Sequence, residues 1–291
     1  MHWEVYRTLE DAIVEAIRLA VATLPEDTVN ALKKAYEREE NPIAKAQLEN
    51  ILETIELGKN YSLPICQDTG TITFFVEAGV ENPYIKGLKE ILINATKKAT
   101  EEVPLRPNSV DLLTNKNSGD NTGRFVPIIH WELIEGDSIK IYVFPKGGGS
   151  ENCSALRMLI PSEELESIKK FVVETVAKAG GKPCPPIIVG VGIGGGANFA
   201  LTLAKKALLR PLGVRHENEK IAKLEEELLE IINSLGIGPM GLGGKTTTLD
   251  VKIEYAHRHP ASLPVGVVIQ CWANRRSIVE IRKDGTIKIY Q

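Results

Sequence analysis

The chain has 291 residues, 43% hydrophobic and 25% charged, with a formal net charge of −3 at pH 7. This is the composition of a folded globular protein, and its slight acidity excludes the basic footprint of a nucleic-acid or anionic-membrane binder. No apolar run nears the roughly 18 residues of a bilayer span, and the acidic, interrupted start MHWEVYRTLEDAIVEAI is unlike a signal peptide, so a cytoplasmic location and no membrane partner are expected.

Residues 8–57 read as three helices. Leu9, Ile13, Ile17 and Val21 recur at the spacing of one apolar stripe, and Val29, Leu32 and Ala35 form a second. The third helix has Asn41 as N-cap, Pro42 at its first position, Leu48, Ile51 and Ile55 on one face, and Gly58 just past its end. PICQDTG (64–70) leads into a strand over 72–76, rich in β-branched and aromatic residues. A charged helix near 84–102, the loop PLRPNSVD and the polar loop TNKNSGDNTG (114–123) precede two strands, 125–134 and 139–144. These are expected to pair as a tight hairpin across Gly136 and Asp137.

After PKGGGSENCS, an amphipathic helix starts at Ser162, runs through Val176 and ends at Gly180 and Gly181. PCPP introduces a strand at 187–189 that runs into GVGIGGG and a short helix. A long helix over 217–235 stops at Gly236. Strands at 249–256 and 265–270 follow, then a hairpin turning on 283–286. The pattern predicts an α/β protein of mixed α+β type, with N-terminal helices followed by mixed sheet segments interleaved with helices. A single domain over 1–291 is expected, with the helical residues 1–60 as the one candidate for a separate lobe.

The four cysteines lack the C-x-x-C spacing of a zinc or redox motif, and disulfides are not expected in a cytosolic chain. Each sits at an element end, where functional groups collect. Cys66 precedes a strand, Cys153 follows GGGSEN, Cys184 stands among prolines and Cys271 closes an apolar strand. Buried structural thiols and metal ligands both remain open on this evidence. Glycine clusters at 147–149, 190–196 and 236–244 mark close approach of backbone to a ligand or to another segment.

Gly190, Gly192 and Gly195 satisfy G-x-G-x-x-G, but no strand ending in an acid follows about 20 residues on, so a dinucleotide site is not expected. Tight packing or an anion at a helix start fits the same glycines. Neither G-x-S-x-G nor H-E-x-x-H occurs, and Pro239 stands where a Walker A glycine would be. Arg106, Lys245, Arg258, His259, Arg275 and Arg276 occupy loop-like contexts, and cations beside glycine-rich turns suit a small carboxylate substrate.

Taken together, PICQDTG, KGGGSEN, the cysteine of KPCPP, GVGIGGG, GLGGKTT and the HRHPAS…C pair resemble the N-terminal portion of class I, iron–sulfur fumarate hydratases and their tartrate dehydratase relatives. The motifs are ordered and cover nearly the whole chain. Because the sequence ends at Gln291, the resemblance implies the α subunit of a two-subunit form, inactive alone, that forms a heteromer with a β subunit. It implies a [4Fe–4S] cluster held by Cys66, Cys184 and Cys271 with one iron left open as a Lewis acid, Cys153 not being a ligand.

It further implies a hydro-lyase acting on a small dicarboxylate, fumarate to L-malate, or L(+)-tartrate by the same chemistry. Asp68 would donate a proton to the departing hydroxyl, and Gln67 would contact substrate. Arg106 and Lys245 would bind carboxylates, the backbone of Gly147, Gly148 and Gly149 would approach the substrate, and His259 would support the site. The competing readings are a surface ion pair for Arg106, a structural histidine at 259, and a non-catalytic zinc- or nucleotide-binding module for the chain as a whole.

Overall fold

A computed structural model describes residues 2–291. In chain order the elements are α1 (His2–Ala22), α2 (Glu26–Arg38), α3 (Pro42–Tyr61), β1 (Thr71–Gly79), α4 (Leu88–Glu102), β2 (Ile128–Ile134), β3 (Ser138–Lys146), the single turn α5 (Gly148–Glu151), β4 (Ala155–Leu159), α6 (Glu164–Ala179), β5 (Ile187–Gly195), α7 (Ala197–Ala207), α8 (Glu219–Ser234), β6 (Thr248–Arg258), β7 (Leu263–Gln270), β8 (Ser277–Arg282) and β9 (Ile287–Tyr290). The mixed helix-and-sheet class is as expected. The chain forms two compact units, one from Met1–Pro25, Thr54–Gly147 and Arg275–Gln291, the other from Glu26–Glu53 and Gly148–Asn274.

The first unit is built on a five-stranded sheet of order β2-β1-β3-β8-β9. Alternate residues of β1 (Ile72, Phe74, Val76, Ala78), β3 (Ile139, Ile141, Val143) and β8 (Val279, Ile281) form one apolar face. That face packs against the stripes of α1 (Leu9, Ile13, Ile17, Val21) and α4 (Leu88, Leu92, Ala95). The period of two on the strands and of three to four on the helices is what lets each present one continuous surface.

The expected hairpin of the 125–134 and 139–144 segments does not form. β1 lies between them, parallel to β2 and antiparallel to β3. The short connection from β2 to β3 crosses the end of β1, where the Glu81 amide donates to the Gly136 carbonyl (3.0 Å) and Asn82 Nδ2 to the Asp137 carbonyl (2.8 Å). The reason is burial. β1 is largely buried on both faces and suits a central position, whereas β2 carries Trp131, Glu132 and Leu133 exposed and suits an edge. The β8–β9 hairpin forms as expected, since its strands are adjacent and its turn closes on Gly285.

The predicted cap of α3 is present, with Asn41 Oδ1 accepting from the amides of Ile43 (3.0 Å) and Ala44 (3.3 Å). Gly58 does not terminate that helix, which continues to Tyr61. It is a point of close approach instead: a β-carbon there would stand 2.6 Å from Ile65 Cγ2 and 2.7 Å from the Ala22 carbonyl oxygen.

The second unit is built on a four-stranded sheet of order β4-β7-β5-β6. On one face Ile187, Val189 and Val191 of β5 join Val251, Ile253, Val265 and Val267 beneath α6 (Phe171, Val172, Val176) and α8 (Leu224, Leu228, Ile232). The other face carries Gly190 and Gly192 of β5 and Gly266 of β7, and α7 lies directly on them. A β-carbon on Gly192 would strike the Ala200 carbonyl oxygen, and one on Gly266 would stand 2.8 Å from it. GVGIGG is therefore strand, and its glycines serve helix packing rather than a dinucleotide loop.

A cluster of charge is buried in this unit around β6. Asp250 (1% exposed) accepts from Lys252 Nζ (2.8 Å), Arg215 Nη2 (2.5 Å) and the Gly213 amide (2.7 Å). Glu225 (0% exposed) pairs with Arg210 (2.8 Å) and Arg215 (3.5 Å) and accepts from the Ile253 amide (2.8 Å). Burial pushes the Lys252 pKa below its ordinary value, against the pull of the Asp250 charge. The network ties the α7–α8 connection to β6.

Two stability outcomes follow from this packing. Asp250→Ala leaves Lys252 and one edge of Arg215 uncompensated and should cost about 3–5 kcal/mol. Gly192→Ala forces α7 off the sheet and should cost about 1–3 kcal/mol. Urea unfolding of each variant measures both, and wild-type midpoints would contradict the reading.

Candidate functional site

In the first unit the loop before β1 is held from several directions. Cys66 and Asp68 are half-buried and Gln67 is exposed. Asp68 Oδ1 accepts from the Gly70 amide (2.9 Å), closing a turn of the kind Asp favours. Thr69 is buried, and its Oγ1 accepts from the Arg106 amide (3.0 Å) and Asn108 Nδ2 (3.4 Å). Asn108 Nδ2 also donates to the Gly70 carbonyl (3.1 Å). The main chain of Arg106 is thereby held against the loop of Gln67 and Asp68, and its side chain is exposed.

Asn121, 3% exposed and in the left-handed region at φ 59°, completes the frame. Its Oδ1 accepts from the Asn108 amide (2.6 Å) and its Nδ2 donates to the Arg106 carbonyl (3.0 Å). Sequence reasoning missed Thr69, Asn108 and Asn121 as positioning groups. Asparagine's affinity for turns is the local signal at Asn108 and Asn121, the latter in the positive-φ region, and Thr69 carries none. Gly147 closes the other side: a β-carbon on it would stand 3.1 Å from Asp68 Oδ2 and 3.7 Å from Arg275 Nη2. Arg275 Nη1 donates to the Asp68 carbonyl (2.8 Å).

In the second unit, candidates gather at the end of the sheet where β5 and β6 begin and β7 finishes. Cys184 is exposed and takes φ 54° between Pro183 and Pro185, its amide donating to the Gly181 carbonyl (3.1 Å). Antiparallel pairing sets Ile188 opposite Gln270, so the segment after β7 meets the turn before β5. There the Trp272 amide donates to the Cys184 carbonyl (3.3 Å). Cys271 is half-buried, with Sγ 3.8 Å from the Ala273 carbonyl oxygen. Beside it, Gln270 Oε1 and Asn274 Oδ1 are buried without a hydrogen-bond partner, which is rare in a settled interior.

Gly148 and Gly149 are exposed in α5, and a β-carbon on Gly149 would stand 3.8 Å from the Lys182 carbonyl oxygen in the Cys184 turn. Cys153 donates through Sγ to the Gly149 carbonyl (3.5 Å) and lines a cavity of about 420 Å³ with Arg157, Phe171 and Lys182. The four cysteines form no disulfide.

Lys245 and His259 lie elsewhere. The 236–244 glycine cluster ends against an anion, and that anion is the chain's own Glu39. Its buried carboxylate accepts from the amides of Lys245 (2.8 Å), Asn41 (3.0 Å) and Glu40 (3.1 Å). Gly244 takes φ 126°, and a β-carbon there would stand 2.7 Å from Glu39 Oε2, so glycine is required. Lys245 Nζ pairs with Glu40 (2.6 Å) on the exposed side. His259 sits in the β6–β7 turn, exposed, with Nδ1 accepting from the Ala261 amide (3.1 Å). The whole length of β7 separates it from Cys271, about 3.3 Å per residue. The structure does not bring His259 to Cys184 and Cys271.

Among the described residues, no helix is long and apolar enough to cross a membrane, and no group of three or more His, Cys, Asp or Glu side chains is gathered to hold a metal ion. A family model described as Fumarate hydratase (Fumerase) matches residues 10–280. A Methanocaldococcus jannaschii protein provisionally named L(+)-tartrate dehydratase subunit alpha is 53% identical over 283 residues, spanning 96% of this chain and 99% of that protein. The L(+)-tartrate dehydratase subunit alpha proteins of Escherichia coli K12 and Shigella boydii are each 37% identical over 281 residues, spanning 96% of this chain and 93% of theirs. With the match running through both units, from α1 to β8, the chain belongs to the fumarate hydratase (Fumerase) family of hydro-lyases.

Proposed function

We propose that this chain is the α subunit of a cytoplasmic hydro-lyase that interconverts fumarate and L-malate and completes its active site with a β subunit. The observation that carries the reading is the Thr69 tie, which holds the main chain of an arginine against the loop of an amide and a carboxylate, directly after a cysteine. A dicarboxylate needs a fixed cation, and the planar fork of Arg106 meets a carboxylate better than an ammonium does. Gln67 offers an exposed amide to the same molecule. Asp68, its Oδ1 committed to the Gly70 amide, presents Oδ2 toward Gly147 and is the group assigned to protonate the departing hydroxyl. Gly147, Gly148 and Gly149 are assigned to approach the substrate through their backbone, Gly148 and Gly149 from exposed positions and Gly147 from a buried one.

Cys66, Cys184 and Cys271 are the residues assigned to hold a [4Fe–4S] cluster. The donor set fits: all three are unbridged thiols at loop ends, soft ligands of the kind iron–sulfur clusters take. Two of them are brought side by side, next to buried acceptors that find no partner within the chain. Ligands of a cluster sit on separate irons, so they need not crowd as ligands of a single ion do. When bound, the cluster supplies an open iron position that acts as a Lewis acid toward the substrate hydroxyl.

Lys245 binds a substrate carboxylate only by exchanging Glu40 for it. His259, exposed in the β6–β7 turn, is assigned to support the substrate rather than the cluster, because β7 separates it from Cys271. L(+)-tartrate is the second reading, favoured by the names of the relatives. The β partner is inferred from the word alpha in those same names and from the family resemblance.

Anaerobic co-purification with the β subunit should yield about four irons per α chain and, after brief oxidation, a [3Fe–4S] EPR signal. Cys184→Ser should abolish both, together with hydration of fumarate, at unchanged circular dichroism. A folded complex that takes up no iron on reconstitution would sink the reading, and relative kcat/KM on fumarate and L(+)-tartrate decides between the substrates. Gly147→Ala should lower kcat roughly 10- to 100-fold, since its methyl group displaces the Asp68 carboxylate by a few tenths of an ångström or more. Wild-type turnover in that variant would remove Asp68 from the proton transfer.

A further inference from the structure

Arg275 is, by volume, the largest of the fully buried side chains among the described residues, at 1% exposure. Its Nη1 donates to the Asp68 carbonyl (2.8 Å), and its Nε has no hydrogen-bond partner. A guanidinium is expensive to remove from water, and leaving one of its donors unsatisfied adds to that cost. Neither is spent on packing that leucine or methionine would not give more cheaply. The cost falls beside the loop of Cys66, Gln67 and Asp68, where backbone placement matters most.

We propose that Arg275 is a positioning residue for the hydration reaction, resting on the hydro-lyase reading above. It is too buried to touch substrate. Its rigid planar fork clamps the main chain of Asp68 from within, while Asp68 Oδ1 is held by the Gly70 amide, so both the backbone and the side chain of that residue are fixed. Thr69, the next residue, ties the same loop to Arg106. Successive residues of one loop are thus pinned by a buried arginine and a buried threonine. Nη2 and Asp68 Oδ2 flank the one spot that Gly147 leaves empty (3.7 and 3.1 Å). Loss of the clamp frees Asp68 and Gln67 to leave the geometry that proton transfer needs, and it loosens Cys66.

The test uses the full α chain with its β partner and the variants Arg275→Met and Arg275→Lys. In the metal-free protein, alkylation by iodoacetamide, followed cysteine by cysteine by mass spectrometry, should quicken several-fold at Cys66 in Arg275→Met and stay unchanged at Cys153, Cys184 and Cys271. In the reconstituted complex, iron content and the EPR signal should match wild type, kcat should fall roughly 10- to 100-fold, and KM should hold within about threefold. Arg275→Lys keeps one donor and should recover part of kcat.

Unchanged kcat in Arg275→Met overturns the inference while leaving the hydro-lyase reading intact. So does a uniform rise in alkylation at all four cysteines, because it marks a merely structural arginine. If Arg275→Met does not fold, Arg275→Lys decides alone: lowered kcat at unchanged KM and iron supports the clamp, and wild-type kcat overturns it. A wild-type complex with a full cluster but no turnover of any dicarboxylate ends the hydro-lyase reading and this inference together.

Discussion

Strand β1 is bonded along both edges, and the candidate site of the first unit depends on that constraint. With β2 on one side and β3 on the other, β1 cannot slide without breaking two ladders at once. Its register sets Thr71 opposite Lys146, so the residues just outside the ladder, Gly70 and Gly147, face each other. A β-carbon on Gly70 would stand 2.8 Å from the Lys146 amide nitrogen. The two glycines let the chains cross closely enough for Asp68 to reach its place beside Gly147. The arrangement that positions the carboxylate is thus a consequence of sheet register, transmitted through a single turn.

The second unit solves a similar problem through its helix–sheet contact. Gly190, Gly192 and Gly266 remove the side chains that would hold α7 at the usual distance, and Ala200 and Ala204 complete the close fit. Antiparallel pairing of β5 with β7 then brings the segments flanking Cys184 and Cys271 together, although the chain between them includes α7, α8 and β6. Functional candidates at strand ends and fixed by rigid ladders are the common pattern for sites carried on loops. Here the register of the strands decides which cysteines are neighbours.

The buried carboxylates of the second unit are matched locally. Asp250, Glu225 and Glu39 each receive several donors, and in the Glu39 case Gly244 lets the chain come close enough for the Lys245 amide to reach the carboxylate. The unmatched groups behave differently. Of the buried groups without a partner, Gln270 Oε1 at the end of β7, Asn274 Oδ1 and the Nε of Arg275 fall within one short segment around Cys271 and before β8, while Ser154 Oγ and Arg210 Nε lie elsewhere. Buried polar groups without partners are costly, and their concentration marks the segment as shaped for more than folding.

Local features were legible in the chain itself. The apolar stripe of α1, the Asn41 cap, the β8–β9 turn and the ordered cysteine and glycine motifs depend on residues close in sequence, and the structure has each element where periodicity placed it. The motifs were also enough to point to the family. Three things were decided only by tertiary structure. β1 separates the expected β2–β3 hairpin, because burial on both faces outweighs the convenience of a short turn. GVGIGG is strand rather than a binding loop, because α7, the helix that follows it, folds back onto that surface. His259 stands apart from Cys271, because an extended strand carries a short sequence separation across the whole sheet. Periodicity, caps and turns are set by neighbours along the chain, whereas register, burial and the partner of a buried charge are set by segments that meet only after folding.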